Sequence, residues 1–339
     1  MQHVRSSTAR TLAWLPALRK GIDIAGRGRL LVGRETQRQG IREITPGLGD
    51  RWLVRGLAIE RQPRYSPDGK ALAFTSNRAG GLDIWDISLE TGALRRLTDH
   101  SGDDWDPAYS RDGRSLVFNS NRTGHFEIWM SSADGSNPKQ VSADGVDAQN
   151  PSVSADGNWI VYSGFRGERP GLWKVHPDGT GATAIVPDTK NRLPVPEISP
   201  DGSLVAIAVP GNGGMLIHIV RLADGSPFPF EQPTRVGPPR PHWMPDGRSL
   251  VFKDRHPGGP ITLWTRPLEG QAPARRLPGF EGIGNIETFD VSPDGKRFAV
   301  SVLELSRSVL LVENVPGVAG RRGQVLIFYS SRRPTPSGS

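Results

Sequence analysis

A short extended segment ending in Asp-Gly recurs through the chain at Asp68, Asp112, Asp156, Asp201, Asp246 and Asp294, with spacings of 44, 44, 45, 45 and 48 residues. A fixed period of roughly 40 to 50 residues marks a chain built from stacked copies of one supersecondary unit, because a single unit cannot bury its own apolar face. The copies read Tyr65-Ser66-Pro67-Asp68-Gly69, Tyr109-Ser110-Arg111-Asp112-Gly113, Val153-Ser154-Ala155-Asp156-Gly157, Ile198-Ser199-Pro200-Asp201-Gly202, Trp243-Met244-Pro245-Asp246-Gly247 and Val291-Ser292-Pro293-Asp294-Gly295. Pro presets φ at the first central turn position, Asp bonds the backbone ahead of it, and Gly takes the position with φ > 0. Each copy is therefore expected to turn one strand into the next.

The residues beyond each turn repeat as well. Four and six positions after the Asp stand Leu72 and Phe74, Leu116 and Phe118, Ile160 and Tyr162, Val205 and Ile207, Leu250 and Phe252, and Phe298 and Val300. The residue between each pair is Ala or Val, so this strand is apolar on both faces, as a strand sandwiched between neighbouring sheets must be. Seventeen residues after the Asp, eighteen in the fifth copy, come Trp85, Trp129, Trp173, His218, Trp264 and Leu311, which mark a third strand. A fourth, more polar strand is expected at 94–98, 139–142, 183–186 and 275–277, where mixed polarity suits an outer position. Four antiparallel strands in about 44 residues make one blade of an all-β propeller. The 41 Gly and 30 Pro residues, too many for long helices, then become repeated turns.

The turn segments, with Ser76-Asn77-Arg78-Ala79-Gly80 and Ser120-Asn121-Arg122-Thr123-Gly124 after the second strand, resemble the TolB-type propellers and their WD-like repeat. Phe165-Arg166-Gly167 and Asp254-Arg255 match in part, and the fourth and sixth copies lack the Arg. The resemblance covers residues 63 to about 315 and implies fold more than chemistry. In that family, propellers bind partner proteins in envelope complexes or serve as sensor domains joined to kinases and DNA-binding domains.

Residues 1–62 read as a degenerate additional blade or an N-terminal closing segment, 63–315 as six repeats of one propeller, and 316–339 as a C-terminal strand and basic disordered tail. The expected strands near the N-terminus are 11–16, 21–25, 30–35 and 40–45, with 324–329 completing the last blade. Seven blades are favoured, because both ends of the chain then find a place in the sheets. The alternative is six, with a strand at 42–45 closing the last one.

The absence of Cys excludes disulfides, thiolate metal sites and cysteine nucleophiles. Gly-x-Ser-x-Gly, Walker-type and His-Glu-x-x-His signatures are absent, so no catalytic residue, metal or cofactor is expected. The first 64 residues carry 13 Lys/Arg against 5 Asp/Glu, and Arg321, Arg322, Arg332 and Arg333 add to the other end. These cations are spaced among apolar residues without stacking aromatics, which argues against nucleic acid. No apolar run is long enough to span a bilayer as a helix. The apolar stretch 11–18 is interrupted by Trp14 and Pro16 and lacks a cleavage site, so the chain reads as periplasmic if a segment precedes Met1 and as cytoplasmic otherwise. It is expected to be monomeric or part of a larger polypeptide.

Asp103, Asp104 and Asp106 form the densest acidic cluster but lack the spacing of a calcium loop. The repeated Arg78, Arg122, Arg166 and Arg255 read as parts of the blade. The loops into each first strand, 100–106, 144–150, 188–195, 236–242 and 280–287, diverge while the strands repeat, and variable loops on a rigid frame are where recognition resides. Trp105, Asn150, Arg192, Glu197 and His242 are the candidates there. The expected function is a non-enzymatic interaction or ligand-sensing module that holds a protein segment or small ligand at the channel face. The alternative is a propeller that accompanies, or is detached from, a prolyl-oligopeptidase-like hydrolase or a multidomain kinase or DNA-binding regulator. A metal-bearing polysaccharide enzyme ranks third.

Overall fold

Each Asp-Gly segment folds into a hairpin held by its own side chains. In the first, the Ser66 hydroxyl donates to Asp68 Oδ1 at 2.6 Å, the Lys70 amide donates to the same oxygen at 3.0 Å, and Gly69 sits at φ 68°. The Ser66 oxygen in turn accepts from the Ala71 amide at 2.9 Å. The same bonds recur at Ser110/Asp112, Ser154/Asp156, Ser199/Asp201 and Ser292/Asp294. Met244 replaces the Ser in the fifth copy, which keeps the Asp246 bond to the Arg248 amide at 2.9 Å.

The computed structural model describes residues 9–13, 22–26, 29–166, 169–189, 193–270 and 272–313, with side chains between 38 and 304. Blade 1 consists of Glu60–Tyr65, Ala71–Ser76, Asp83–Ser88 and Leu94–Arg96, paired antiparallel in that order. Blade 2 follows with Asp104–Tyr109, Ser115–Ser120, Glu127–Ser132 and Lys139–Gln140, and blade 3 with Ala148–Val153, Ile160–Gly164, Gly171–Val175 and Thr183–Val186. Blade 4 has Glu197–Ile198 and three longer strands, Leu204–Gly211, Gly214–Arg221 and Pro227–Thr234. Blade 5 has His242–Trp243, Ser249–Asp254, Thr262–Pro267 and Arg275–Arg276.

The sixth blade corrects the expectation of seven. Asn285–Val291 pairs with Phe298–Glu313, and the next two strands come from the other end of the chain, Arg29–Thr45 and Gly49–Gly56. The first strands touch in cyclic succession and the sixth touches the first, so the described residues form a closed ring of six. The N-terminal strands fill the outer half of the last blade instead of making a blade of their own. Such a closure pairs an early strand with a late one, so the last blade is completed by hydrogen bonds between distant parts of the chain.

Apolar clusters sit between successive blades. Ile41, Val54 and Ala299 of blade 6 meet Tyr65, Leu72 and Phe74 of blade 1, and Ala73, Ile84 and Leu97 of blade 1 meet Leu116 and Phe118 of blade 2. The second-strand side chains are fully buried, each worth about 1.5–3 kcal/mol as large apolar groups. The second and third strands also place an aromatic pair side by side: Phe74 opposite Trp85, Phe118 opposite Trp129, Tyr162 opposite Trp173 and Phe252 opposite Trp264. The guanidinium of Arg78 lies over both Phe74 and Trp85, at 5.3 and 5.0 Å, and pairs with Glu60 at 2.8 Å. Arg122 repeats this over Phe118 and Trp129 with Asp104, and Arg166 lies over Trp173 with Asp144.

The described residues before 39 and after 303 belong to a second compact unit. In it Ala9–Ala13 pairs antiparallel with Phe298–Glu313, with Ala9 opposite Val312, and Ile22–Gly26 pairs with Arg29–Thr45, with Ile22 opposite Val32. The expected strand at 324–329 and the tail at 316–339 lie outside the described residues. Among the described residues, no helix is long and apolar enough to cross a membrane.

Candidate functional site

The first strand of each blade lines the channel, and in blades 1 to 3 it is bulged at a left-handed residue whose counterpart in blade 5, Arg240, stands just before the strand. Gln62, Asp106, Asn150 and Arg240 have φ of 53°, 51°, 55° and 46°, and each directly precedes a Pro. A left-handed backbone is uncommon for residues other than Gly, and Pro pushes the residue before it toward extended geometry, so the conformation costs energy at each position. The strand registers slip there, between Arg61 and Arg64, Val117 and Asn119 opposite the second bulge, and Gln149 and Ser152. All four residues line the narrow middle of the channel, a space of about 20 Å³. Gln62 donates to Asp106, and Arg240 approaches the same carboxylate oxygen at 3.4 Å.

On the face where the loops lead into the first strands, a cavity of about 390 Å³ opens above this ring. Trp105, Phe126, Asn119, Asn150 and Met215 contribute to its wall. Asn119 is 1% exposed and its side-chain oxygen has no hydrogen-bond partner, and the indole N–H of Trp105 is buried without one as well. Arg61 stacks over Trp105 at 5.7 Å and pairs with Glu287, which also accepts from Gln39 at 2.8 Å. Lys253, buried nearby, donates to the Glu287 carbonyl. Burial, with the Arg240 charge beside it, brings the Lys253 ammonium down to about 7 against the opposing pull of Glu287.

On the opposite face, where the Asp-Gly turns lie, a second cavity of about 460 Å³ narrows to a buried ionic group. Arg64 Nη1 and Nη2 donate to the two Glu197 oxygens at 3.1 and 2.8 Å, and Arg64 lies 3.4 Å from Asp290 and 3.1 Å from His242 Nδ1. His242 packs edge-on to Phe289 at 4.5 Å, with Asp290 3.4 Å from its Nδ1. Burial works against the charge on Glu197, but Arg64 and His242 overcome it and hold the carboxyl at about 2. Burial also works against the Arg64 cation, and the carboxylates of Glu197 and Asp290 more than offset it. For Asp290 burial wins and its pKa is raised, with Arg64 opposing.

The five candidates from the sequence therefore fall on two levels. Trp105 and Asn150 line the loop-face cavity, Glu197 and His242 line the turn-face cavity, and Arg192 lies outside the described residues. The acidic cluster disperses: Asp103 accepts from the Leu82 amide at 3.1 Å, Asp104 is fully buried against Arg122, and Asp106 points into the channel. Among the described residues no group of His, Asp and Glu has the geometry to hold a metal ion. Sequence reasoning missed Arg64, Asp290, Arg240 and Asn119. Arg240 and Asn119 could have been found from the repeat. Gln62-Pro63, Asp106-Pro107, Asn150-Pro151 and Arg240-Pro241 share one position, and Asn119 stands where other copies have Thr75, Ser163 and Ser301. Arg64 and Asp290 share with the candidates Glu197 and His242 the position four residues before the turn Asp, so the repeat marks them too; what it does not give is that these four side chains meet across the ring.

Residues 53–192 match the family model of the TolB β-propeller domain. An uncharacterized protein of Agrobacterium fabrum (strain C58) is 35% identical over 63 residues, 19% of this chain and 21% of that protein. The match thus spans about a fifth of that curated relative's length. A solved structure assigned as TolB from Agrobacterium tumefaciens superposes with a TM-score of 0.63 at 20% identity, covering 79% of this chain and 99% of that one. TolB from Acinetobacter baumannii gives 0.56 at 18% identity, with 80% and 66% covered. At such identities the likeness is one of fold. By its repeat and its closed ring the chain is a six-bladed β-propeller among the described residues, and its residues 53–192 are similar to the TolB β-propeller domain.

Proposed function

We propose that this propeller is a binding module that receives an extended segment of a partner protein in the loop-face cavity. The observation that carries the reading is the ring of four left-handed residues before Pro, Gln62, Asp106, Asn150 and Arg240, which aim polar side chains into the channel at a conformational cost. The ring closure does not require that cost at every blade, since the fourth places Val195-Pro196 at the same point without left-handed backbone. The cavity is in the size range of ligand sites, roughly 300–1,000 Å³. Its wall combines an aromatic surface at Trp105 with the side-chain amides of Asn119, Gln149 and Asn150, a residue set able to stack on and hydrogen-bond a peptide. Arg61 and Arg240 balance Glu287 and Asp106, and Lys253, about half protonated at neutral pH, tips the surroundings toward positive charge, which suits a segment with acidic side chains.

The test is to pan a library of random 12-residue peptides against the protein and measure the affinity of the consensus. The expected result is an acid-containing consensus whose affinity falls at least tenfold in Trp105→Ala and Asn119→Ala. No consensus, or one bound equally by both variants, defeats the reading.

A further inference from the structure

The interface between blades 3 and 4 departs from the repeat. In blades 1, 2, 3 and 5 the second and third strands oppose an aromatic residue to a Trp, and in blade 4 the pair is Ile207 opposite His218. The Arg that covers the pair in blades 1 to 3 is also missing, since the second strand of blade 4 runs on into Pro210-Gly211-Asn212-Gly213. Two rings and a guanidinium are thus absent from a position that is filled in blades 1 and 2. The fifth blade keeps Phe252 and Trp264 and sets His256 edge-on to the indole at 4.8 Å.

The result is an open cavity of about 570 Å³ at this interface. Strand alternation defines its walls. Ile207, Val209 and Val220 belong to the apolar cluster shared with blade 3, and Val186 of blade 3 packs against that cluster. Phe228 and Phe230 pack with the cluster on the other face of blade 4, so Pro227, Pro229 and Glu231 of the same strand face the cavity side. Its charged groups are Glu231, 3.5 Å from His218 Nδ1, and Asp188, which Arg169 engages at 2.6 Å from the solvent side. Arg221 and Arg266 lie over Phe228 and Phe230 and so belong to the opposite face.

We propose that this cavity binds a small planar aromatic molecule that carries an ammonium group. The ring takes the space that Phe and Trp fill in blades 1, 2 and 5, and the ammonium takes the place of the missing guanidinium, facing Glu231 and Asp188. Apolar walls with a few convergent polar groups are what such a ligand needs for burial and orientation. The site is separate from the channel and independent of the proposal made for it.

The probe is tryptamine, titrated into methyl-labelled full-length protein and followed by NMR, with indole-3-propionate as the anionic control. Saturable shifts of the Ile207 and Val209 methyls are expected, with the anion binding at least tenfold more weakly. The double variant Ile207→Phe/His218→Trp restores the residues of blades 1, 2 and 5; it should fold with an unchanged or higher Tm and lose binding at least tenfold. Pro229→Trp, on the outer strand over the opening, should weaken binding likewise without disturbing the interface. Absence of saturable shifts in the unaltered protein, equal binding by the anion, or undiminished binding by the variants that fold overturns the proposal.

Discussion

Arg64 and Glu197, 133 residues apart in the chain, meet across the channel through two hydrogen bonds of 3.1 and 2.8 Å and so join blade 1 to blade 4. Both are largely buried, and removing one partner of a buried pair leaves the other charge uncompensated. Glu197→Ala is expected to destabilise the ring by about 3 kcal/mol, the lower end for such pairs. The cost of Arg64→Ala/Glu197→Ala should fall below the sum of the two single changes, as measured by urea denaturation. Additive costs would show that the pair is not coupled.

The Glu197 carboxyl sits at about 2, below its unfolded value of about 4.3. A carboxyl depressed by folding contributes stability that is complete above the unfolded value and is lost as pH falls through the folded one. Between pH 5 and pH 2 the Tm of Glu197→Gln should therefore drop less than that of the unaltered protein.

Lys253 has the opposite character. Its ammonium is brought down to about 7, so between that pH and about 10.4 the unfolded chain binds more protons than the folded one, and stability rises with pH. Replacement by an isosteric apolar side chain removes this dependence. The Tm of Lys253→Met should exceed that of the unaltered protein most at pH 6, with the gap narrowing by pH 9.

Two glycines of blade 4 separate backbone conformation from close approach. Gly213 has φ 78° with open space where a Cβ would stand, and Gly225 has φ 73° with the Ile185 carbonyl oxygen of blade 3 only 2.0 Å from that point. Gly213→Ala should cost about 1 kcal/mol for the left-handed backbone alone. Gly225→Ala must in addition push blades 3 and 4 apart and should cost at least twice as much. Equal denaturation midpoints for the two variants would rule out the close contact as a constraint.

Asn150 tests the strained ring directly. Gly adopts φ 55° without a Cβ penalty, so Asn150→Gly should hold stability within about 1 kcal/mol, while Asn150→Ala loses about 1 kcal/mol more. Both should bind the selected peptide more weakly, which separates a binding role from a folding one.

The sequence by itself determined the blade. The Ser-x-Asp-Gly turn, the doubly apolar second strand and the Trp of the third strand are local patterns, and each corresponds to a bonded hairpin or a packed face because turn chemistry and strand alternation act over a few residues. It also pointed to Trp105 and Asn150 as lining the loop-face cavity. Only the tertiary structure decided the number of blades, because Ile41-Arg42-Glu43-Ile44-Thr45 reads as an outer strand whichever blade it joins, and ring closure alone assigns it beside Phe298–Glu313. Closure likewise made Arg64, Glu197, His242 and Asp290 one group. Four blades converge there on the channel axis, and ionic contacts across a ring depend on distances that no stretch of the chain encodes locally.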